Sequence, residues 1–173
     1  MIFTFSIARA QQFTPIDNSS RVHFVIKNFG INTGGDLKGL KGNIYFDPNN
    51  MRSSKIAVAV DASTVDTDSE SRDNHIKGED YFDVERNPEI TIRSTSINYT
   101  KESNKGRYLF TGNLTLAGIT RPISFIFQVK RKGTAYIFTG DFEINRLDYN
   151  VGESSSVLSN TVKVSLSVFA KKG

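Results

Sequence analysis

The chain has 173 residues, of which 38% are apolar and 11% aromatic, with thirteen Phe, six Tyr and no Trp; this length suits one domain with a substantial core and excludes two domains of ordinary size. The absence of cysteine excludes disulfides, thiolate metal sites, cysteine nucleophiles and a thioether lipid anchor. The formal net charge of +4 is a small excess that predicts only weak attraction to anionic surfaces.

The first twelve residues contain a short apolar run followed by Ala8-Arg9-Ala10. This small-x-small pattern is typical of a signal-peptidase site. We therefore interpret residues 1–12 as the remnant of an export signal or as a disordered terminus, and residues 13–171 as a single domain. No stretch of the sequence approaches the ~20 apolar residues of a membrane helix, so we expect a soluble protein.

Apolar and polar residues alternate along most of the remaining chain. Val22, Phe24 and Ile26, for example, are separated by His23 and Val25 and flanked by charged residues. A period of two gives a strand one apolar face and one polar face. The alternation predicts strands over residues 21–27, 43–46, 55–61, 89–99, 106–116, 122–130, 135–144 and 161–169.

Gly, Pro and Asn residues separate the predicted strands, as tight turns require. The predicted turns lie at residues 47–50, 104–106, 117–122 and 131–133.

A densely charged segment, residues 68–83, breaks the alternation. It predicts one short helix around residues 69–79, with Asp68 or Ser69 as its N-cap and Gly78 at its end.

Eight long antiparallel strands leave two exposed edges unless the sheet closes, and one short helix cannot cover both. The predicted fold is therefore mainly β: an extended eight-stranded antiparallel barrel with one short helix. A barrel of this size is either filled by side chains or holds one slender ligand, and the pattern leaves this open. The residues predicted to point inward are Val22, Phe24, Ile26, Ile44, Phe46, Ile90, Ile92, Phe110, Leu114, Leu116, Phe125, Phe127, Phe142, Ile144, Val164 and Val168.

Several segments resemble one known family, in order and at suitable spacing from about residue 13 to residue 170. They are residues 20–24 (SRVHF), 39–46 (GLKGNIYF), 71–76 (SRDNHI), 80–83 (DYFD), 87–91 (NPEIT), 112–122 (GNLTLAGITRP) and 142–149 (FEINRLDY). On these segments the chain is similar to the YceI-like, polyisoprenoid-binding family. The family pattern usually has Leu in place of Ile76, Phe in place of Tyr81 and Gly in place of Asn150.

The resemblance implies a lipocalin-like barrel with an apolar tunnel that binds a long isoprenoid chain. The ligand would be a polyprenyl phosphate or a prenyl quinone, sequestered or transported in the bacterial periplasm. The tunnel would be lined by the inward residues given above except Leu116, Val164 and Val168. A homodimer is an open possibility.

The charged segment 68–83 is a plausible neighbour of the ligand's head group, and its candidate contacts are Arg72 and His75. Both residues also have a structural interpretation. Arg72 and Asp73 suit a helix start that is stabilised by mutual hydrogen bonds, and His75 suits a solvated or capping position. The sequence does not choose between these interpretations.

The residues give little support to other site chemistry. His23 and His75 lie far apart and lack an HxH or HExxH spacing, so no metal site is predicted. Carboxylates such as Asp66 and Glu70 could supply an acid and a base, but charge-rich loops commonly carry such groups without catalysis. We therefore predict no enzyme, no catalytic residue and no cofactor.

The charged and aromatic residues bear on two kinds of macromolecular partner, nucleic acid and membrane. The Phe residues fall in the apolar phase of their strands, whereas nucleic-acid binding wants exposed aromatic residues interleaved with basic ones, so no nucleic-acid partner is predicted. The basic run 130–132, beside Lys101, Lys105 and Arg107, is either a solvated hairpin end or a transient contact for anionic lipid head groups.

Two alternatives to a lipid carrier stay open. A filled barrel would act as a protein-interaction module with no extractable ligand. A cavity enzyme for an apolar substrate would need an inward polar residue with a perturbed pKa, and the sequence offers no strong candidate.

Overall fold

A computed structural model describes residues 10–173. In this range one α-helix, α1 (Glu70–Lys77), and four short 3-10 helices accompany nine strands. The strands are β1 (Gln11–Pro15), β2 (Arg21–Asn28), β3 (Ile31–Phe46), β4 (Lys55–Asp66), β5 (Glu89–Tyr99), β6 (Arg107–Leu116), β7 (Ile119–Lys132), β8 (Ala135–Asn145) and β9 (Leu158–Lys172).

The strands close into an antiparallel barrel with eight positions. Each strand from β2 to β9 pairs with the next, and β9 pairs back to β2. β1 and β2 share one position, because β1 pairs with the ends of β3 and β9 while β2 pairs with the earlier parts of the same two strands. The predicted eight-stranded barrel with one short helix is confirmed.

β3 is much longer than the predicted strand 43–46. Its first part contains Gly34, Gly35, Gly39 and Gly42, which interrupt the apolar period. Gly42 has a φ of 130°, and a Cβ atom there would lie 2.2 Å from the carbonyl oxygen of Ala57. The close approach of β4 therefore requires glycine at this position. Tertiary pairing extends this strand where the local pattern predicts none.

β1 begins at Gln11, inside residues 1–12, which we interpret from the sequence as an export remnant or a disordered terminus. Residues 1–9, which hold most of the predicted signal-peptidase motif, lie outside the described residues. None of the helices in residues 10–173 is both long and apolar enough to cross a membrane.

The turn between β6 and β7 is shorter than predicted. It contains only Ala117 and Gly118, whose φ angles are 49° and 74°. Two residues with positive φ form the type I′ hairpin that matches the twist of the flanking strands. Pro122, predicted in the turn, lies instead in β7, in the part that has no ladder to β8, where a strand edge tolerates proline.

The helix is confirmed as predicted, with Ser69 as its N-cap and Gly78 as its C-cap. It lies between β4 and β5, at the end of the barrel where the β2–β3, β6–β7 and β8–β9 connections also lie. We call the half of the interior near this end the open half. The other half, near β1 and the β3–β4, β5–β6 and β7–β8 connections, is the packed half.

Candidate ligand-binding cavity

A cavity of about 330 Å³ occupies the open half of the barrel. Its walls are the inward faces of β2 to β6, β8 and β9. The charged segment 68–83, which contains α1 and which we call the α1 segment, contributes part of the lining. The lining side chains are mostly Val, Ile, Leu and Phe. The volume lies at the lower end of the range of about 300–1,000 Å³ that is typical of small-molecule sites.

Most of the predicted tunnel-lining residues contact this cavity. They are Val22, Phe24, Ile26, Ile90, Ile92, Leu114, Phe142 and Ile144. Sequence analysis missed Leu37, Leu40, Val58, Val60, Val151, Leu158 and Val162, which line it as well. Leu37, Leu40 and Leu158 lie in parts of β3 and β9 beyond the predicted strands, where no alternation was available to orient them. Val58, Val60 and Val162 lie within predicted strands, and their inward facing was overlooked.

The other predicted tunnel residues do not contact the larger cavity. Ile44, Phe46, Phe110, Phe125 and Phe127 lie in or against the core cluster of the packed half. The Phe110 and Phe125 rings stack with centroids 4.9 Å apart, and Phe46 packs edge-on against Phe138 at 5.6 Å. Aromatic rings meet across the bore here, so the barrel is filled in this half.

A second, smaller void of about 50 Å³ lies in the packed half. Val58, Ile92, Leu166 and Val168 line both this void and the larger cavity. These side chains therefore form a layer between the two spaces, which we call the septum. The septum is the floor of the open half.

Arg72 lies on the lining of the larger cavity and is half-buried. Its Nε atom donates to the Thr67 hydroxyl at 2.8 Å. The buried Asp73 carboxylate accepts a hydrogen bond from the Thr67 backbone N–H at 2.9 Å. Arg72 and Asp73 thus hold the start of α1 to the end of β4 through Thr67 rather than through the mutual hydrogen bonds of the structural interpretation, while Arg72 also contacts the cavity.

His75 lies on the same lining and is exposed, so it reaches from the cavity to the protein surface. Its ring packs against Tyr81, with centroids 4.6 Å apart. The next loop is tied to this segment, because the Gly152 N–H donates to the Asp80 carbonyl oxygen at 2.7 Å. The α1 segment and the 146–157 loop together cover one side of the cavity.

Arg146 is a further cavity residue that sequence analysis missed, and only 2% of it is exposed. Its guanidinium donates to the carbonyl oxygens of Ser159, Val151 and Glu153 at 2.9, 2.7 and 2.8 Å, and to the Asn160 side-chain oxygen at 3.2 Å. All four acceptors are uncharged. Arg146 therefore fastens the 151–160 segment to the barrel, and its charge is balanced by dipoles alone.

The charged and titratable residues on the cavity lining are Arg72, Arg146, His75, Tyr81 and His23, whose ring is hydrogen-bonded to Asp36. The lining contains no Asp or Glu among residues 10–173, although the α1 segment itself is rich in carboxylates. Cationic and neutral donors therefore border an apolar space. This arrangement favours a ligand with an anionic or hydrogen-bond-accepting group at one end of an apolar body.

A family model for the YceI-like domain matches residues 13–170. The chain belongs to the YceI-like domain family. The UPF0312 protein of Ectopseudomonas mendocina (strain ymp) is 31% identical to this YceI-like domain over 154 residues, which are 85% of this chain and 79% of the relative. The UPF0312 protein of Yersinia pestis (strain Pestoides F) is 29% identical and covers 85% of this chain and 78% of its own length.

Solved structures share the fold of this YceI-like domain. Burkholderia cenocepacia BcnA is similar with a TM-score of 0.83 and 24% identity, over 89% of this chain and 98% of that one. A polyisoprenoid-binding domain from Saccharophagus degradans, implicated in plant cell wall breakdown, has a TM-score of 0.74 and 17% identity, over 95% of this chain and 100% of its own. At these identities the likeness shows the fold alone.

Proposed function

We propose that this YceI-like domain binds a long-chain isoprenoid lipid, either a polyprenyl phosphate or a prenyl quinone, and sequesters or transports it in the periplasm. The observation that carries the proposal is the apolar cavity of the open half, bordered by Arg72 and His75 and free of carboxylates on its described lining. The polyisoprenoid-binding relative of the same fold and the family match support a lipid-binding protein rather than an enzyme.

The apolar chain would supply most of the binding free energy. Each buried CH₂ group contributes about 0.8 kcal/mol, and the lining offers almost only hydrocarbon to such a chain. The septum would limit how deeply the chain enters. The part of a long chain nearest its head group would therefore lie outside or near the rim.

The head group would lie near Arg72 and His75. A phosphate would accept charge-assisted hydrogen bonds from the Arg72 guanidinium, and a quinone carbonyl would accept ordinary ones. Charge-assisted hydrogen bonds are the stronger. Arg72 would therefore matter more for a polyprenyl phosphate than for a prenyl quinone.

The open half also bears on the two alternative functions. A protein-interaction module with a filled barrel would not contain a cavity of about 330 Å³ beneath the 146–157 loop. A cavity enzyme needs a proton acceptor facing its substrate; the described lining has no carboxylate, the His23 ring is hydrogen-bonded to Asp36 at 3.0 Å, and the His75 ring packs against Tyr81. Both observations favour the carrier.

The direct test is mass spectrometry of an organic extract of the purified protein, with a mock purification as the control. A stoichiometric prenyl species is the expected result, and its mass identifies the head group. An empty extract, from protein that also fails to bind added prenyl phosphate and prenyl quinone, would reject the proposal in favour of the filled module.

An occluding variant links the ligand to the cavity. Val164→Phe adds a ring to the cavity lining, and Ser165→Phe adds the same ring one residue later on the exposed face of β9. We expect Val164→Phe to lose the extracted lipid and Ser165→Phe to keep it. Equal lipid in both variants would place the ligand elsewhere on the protein.

The periplasmic part of the proposal has its own test. Fractionation of cells that express the full chain is expected to release the protein with the periplasmic fraction, with an N-terminus cleaved near Ala10. An uncleaved protein in the cytosolic fraction would contradict it without affecting lipid binding.

A further inference from the structure

We propose that the tip of the β2–β3 hairpin docks on a lipid bilayer and brings the cavity mouth to the membrane. The tip consists of Phe29, Gly30 and Ile31, next to Val157 of the loop before β9. The occupant follows from the proposed function, because an isoprenoid lipid is insoluble in water and must enter the cavity from a bilayer. The exposure and conformation of the tip do not depend on that function.

The tip carries the two most exposed large apolar side chains among the described residues. Phe29 is 74% exposed and Ile31 is 70% exposed, and Val157 beside them is 39% exposed. The Phe29 N–H donates to the Val157 carbonyl oxygen at 2.9 Å, so the hairpin and the loop form one surface. Exposed apolar side chains that lie together among polar residues mark protein or membrane interaction sites.

The backbone at the tip adds a second observation. Phe29 has a φ of 50° and Gly30 a φ of 75°, as a two-residue type I′ turn requires. Asn or Gly is the favoured residue at the first of these positions, and a bulky side chain in the left-handed region is strained. The fold thus holds a Phe ring in solvent at a position where Asn would be more stable, and such an outlier motivates a functional explanation.

The tip adjoins the mouth of the cavity. Ile26 and Asn28 precede it, Thr33 follows it, and Leu158 follows Val157; all four line the cavity. A bilayer in contact with the tip would therefore face this end of the cavity.

The charge around the tip suits a bilayer interface. In residues 24–35 and 154–162 the only charged side chain is Lys27, and the other polar residues are Ser, Thr and Asn. Apolar and aromatic residues beside Lys are typical of surfaces that insert shallowly among lipid head groups. Two side chains and a loop are also far smaller than the ~800 Å² per partner of a stable protein interface, which disfavours a second protein as the occupant.

The basic run 130–132 offers a different membrane contact, at the opposite end of the barrel. Lys130, Arg131 and Lys132 end β7, next to the packed half. Contact through this run would depend on anionic lipids and weaken with salt, whereas insertion of the tip would not. The two contacts are therefore distinguishable.

The test is co-sedimentation of the protein with vesicles of phosphatidylcholine alone and of equal parts phosphatidylcholine and phosphatidylglycerol, at low and high salt. Phe29→Asn combined with Ile31→Thr is expected to lower vesicle binding about tenfold. Ile126→Thr, which removes an exposed Ile elsewhere on the barrel, is the matched control and should bind as wild type. Phe29→Asn alone should raise the melting temperature, because it creates an Asn-Gly turn.

Three results would overturn the inference. They are unchanged vesicle binding in the tip variant, loss of binding only in Lys130→Ser/Arg131→Ser/Lys132→Ser, and a wild-type dimer in analytical ultracentrifugation that the tip variant abolishes. Binding of a prenyl quinone added without vesicles should be the same in wild type and tip variant. If neither binds an added prenyl quinone or an added prenyl phosphate but wild type binds vesicles, the proposed ligand is wrong while the docking surface stands.

Discussion

Phe110 and Ile144 both point into the same barrel, yet their surroundings differ. Phe110 is 1% exposed and stacks on Phe125 in the packed half, whereas Ile144 is only half-buried because it borders the larger cavity. The inward positions of the packed half are rich in Phe and Tyr; those around the cavity are mainly Val, Ile and Leu. Side-chain volume decides which half of an eight-stranded barrel is filled.

The difference should appear most strongly in stability. Phe110→Ala is expected to lower the free energy of unfolding by about 4 kcal/mol, because it leaves a void among packed rings. Ile144→Ala should cost only about 1 kcal/mol, since its side chain already borders empty space. Urea denaturation of the lipid-free protein measures both values. Equal losses would mean that the two halves are packed alike.

The cap of the open half should depend on polar contacts instead. Arg146→Lys is expected to cost about 3 kcal/mol, because one ammonium group cannot reach the four oxygens that the guanidinium bonds and some would stay buried without a donor. The exposed Arg121, whose Nε donates to the Asp148 carbonyl oxygen, provides the control Arg121→Lys. Thermal unfolding of both variants checks this, and a loss as small as that of the control would refute the fastening role.

The septum separates the two halves of the barrel, and it should therefore limit the length of the prenyl chain that the cavity accepts. Leu166→Ala is expected to join the larger cavity to the smaller void and to cost about 2 kcal/mol in stability. It should also shift binding towards longer prenyl chains, which competition between short and long prenyl quinones would measure. Leu109→Ala, at a half-buried leucine that lines neither space, is the control. An unchanged chain-length preference would show that the septum is not the floor for the ligand.

The smallest effect concerns the outer surface of the open half. Hydrogen bonds from Arg21 hold the pKa of the Asp36 carboxyl below its ordinary value. A lowered pKa in the folded state stabilises the fold above the ordinary pKa of aspartate, and that stability is lost as the pH falls through the folded-state value. Asp36→Asn should therefore be slightly less stable than wild type at about pH 7 and no less stable at about pH 2. Denaturation at both pH values tests this, and a constant difference would contradict it.

Much of the fold could be predicted from the sequence, since alternation, turn residues and helix caps are local. The helix capped by Ser69 and Gly78 and the antiparallel strands follow from such signals. β1 and the first part of β3 could not be predicted in this way. They are strands because neighbouring strands pair with them, and glycines such as Gly42 hide the alternation.

The candidate site was predictable only in part. Arg72 and His75 lie on the cavity as the resemblance implies, but Arg146 gave no local signal, because its four acceptors come from residues 151–160. Arg146 lies in the segment 142–149, which resembles the YceI-like family, and that resemblance was the one signal that could have marked it as a candidate. Its role depends on how a loop returns to the barrel.

The sequence by itself determined that this chain forms a closed antiparallel barrel and that side chains such as Phe110 and Ile144 point inward, because the facing of a side chain is a property of its own strand. Only the tertiary structure decided where the interior is filled and where it is open. Whether two inward side chains meet depends on their combined volume across the bore, and side chains that meet there, such as Phe46 and Phe138, come from strands far apart in the chain.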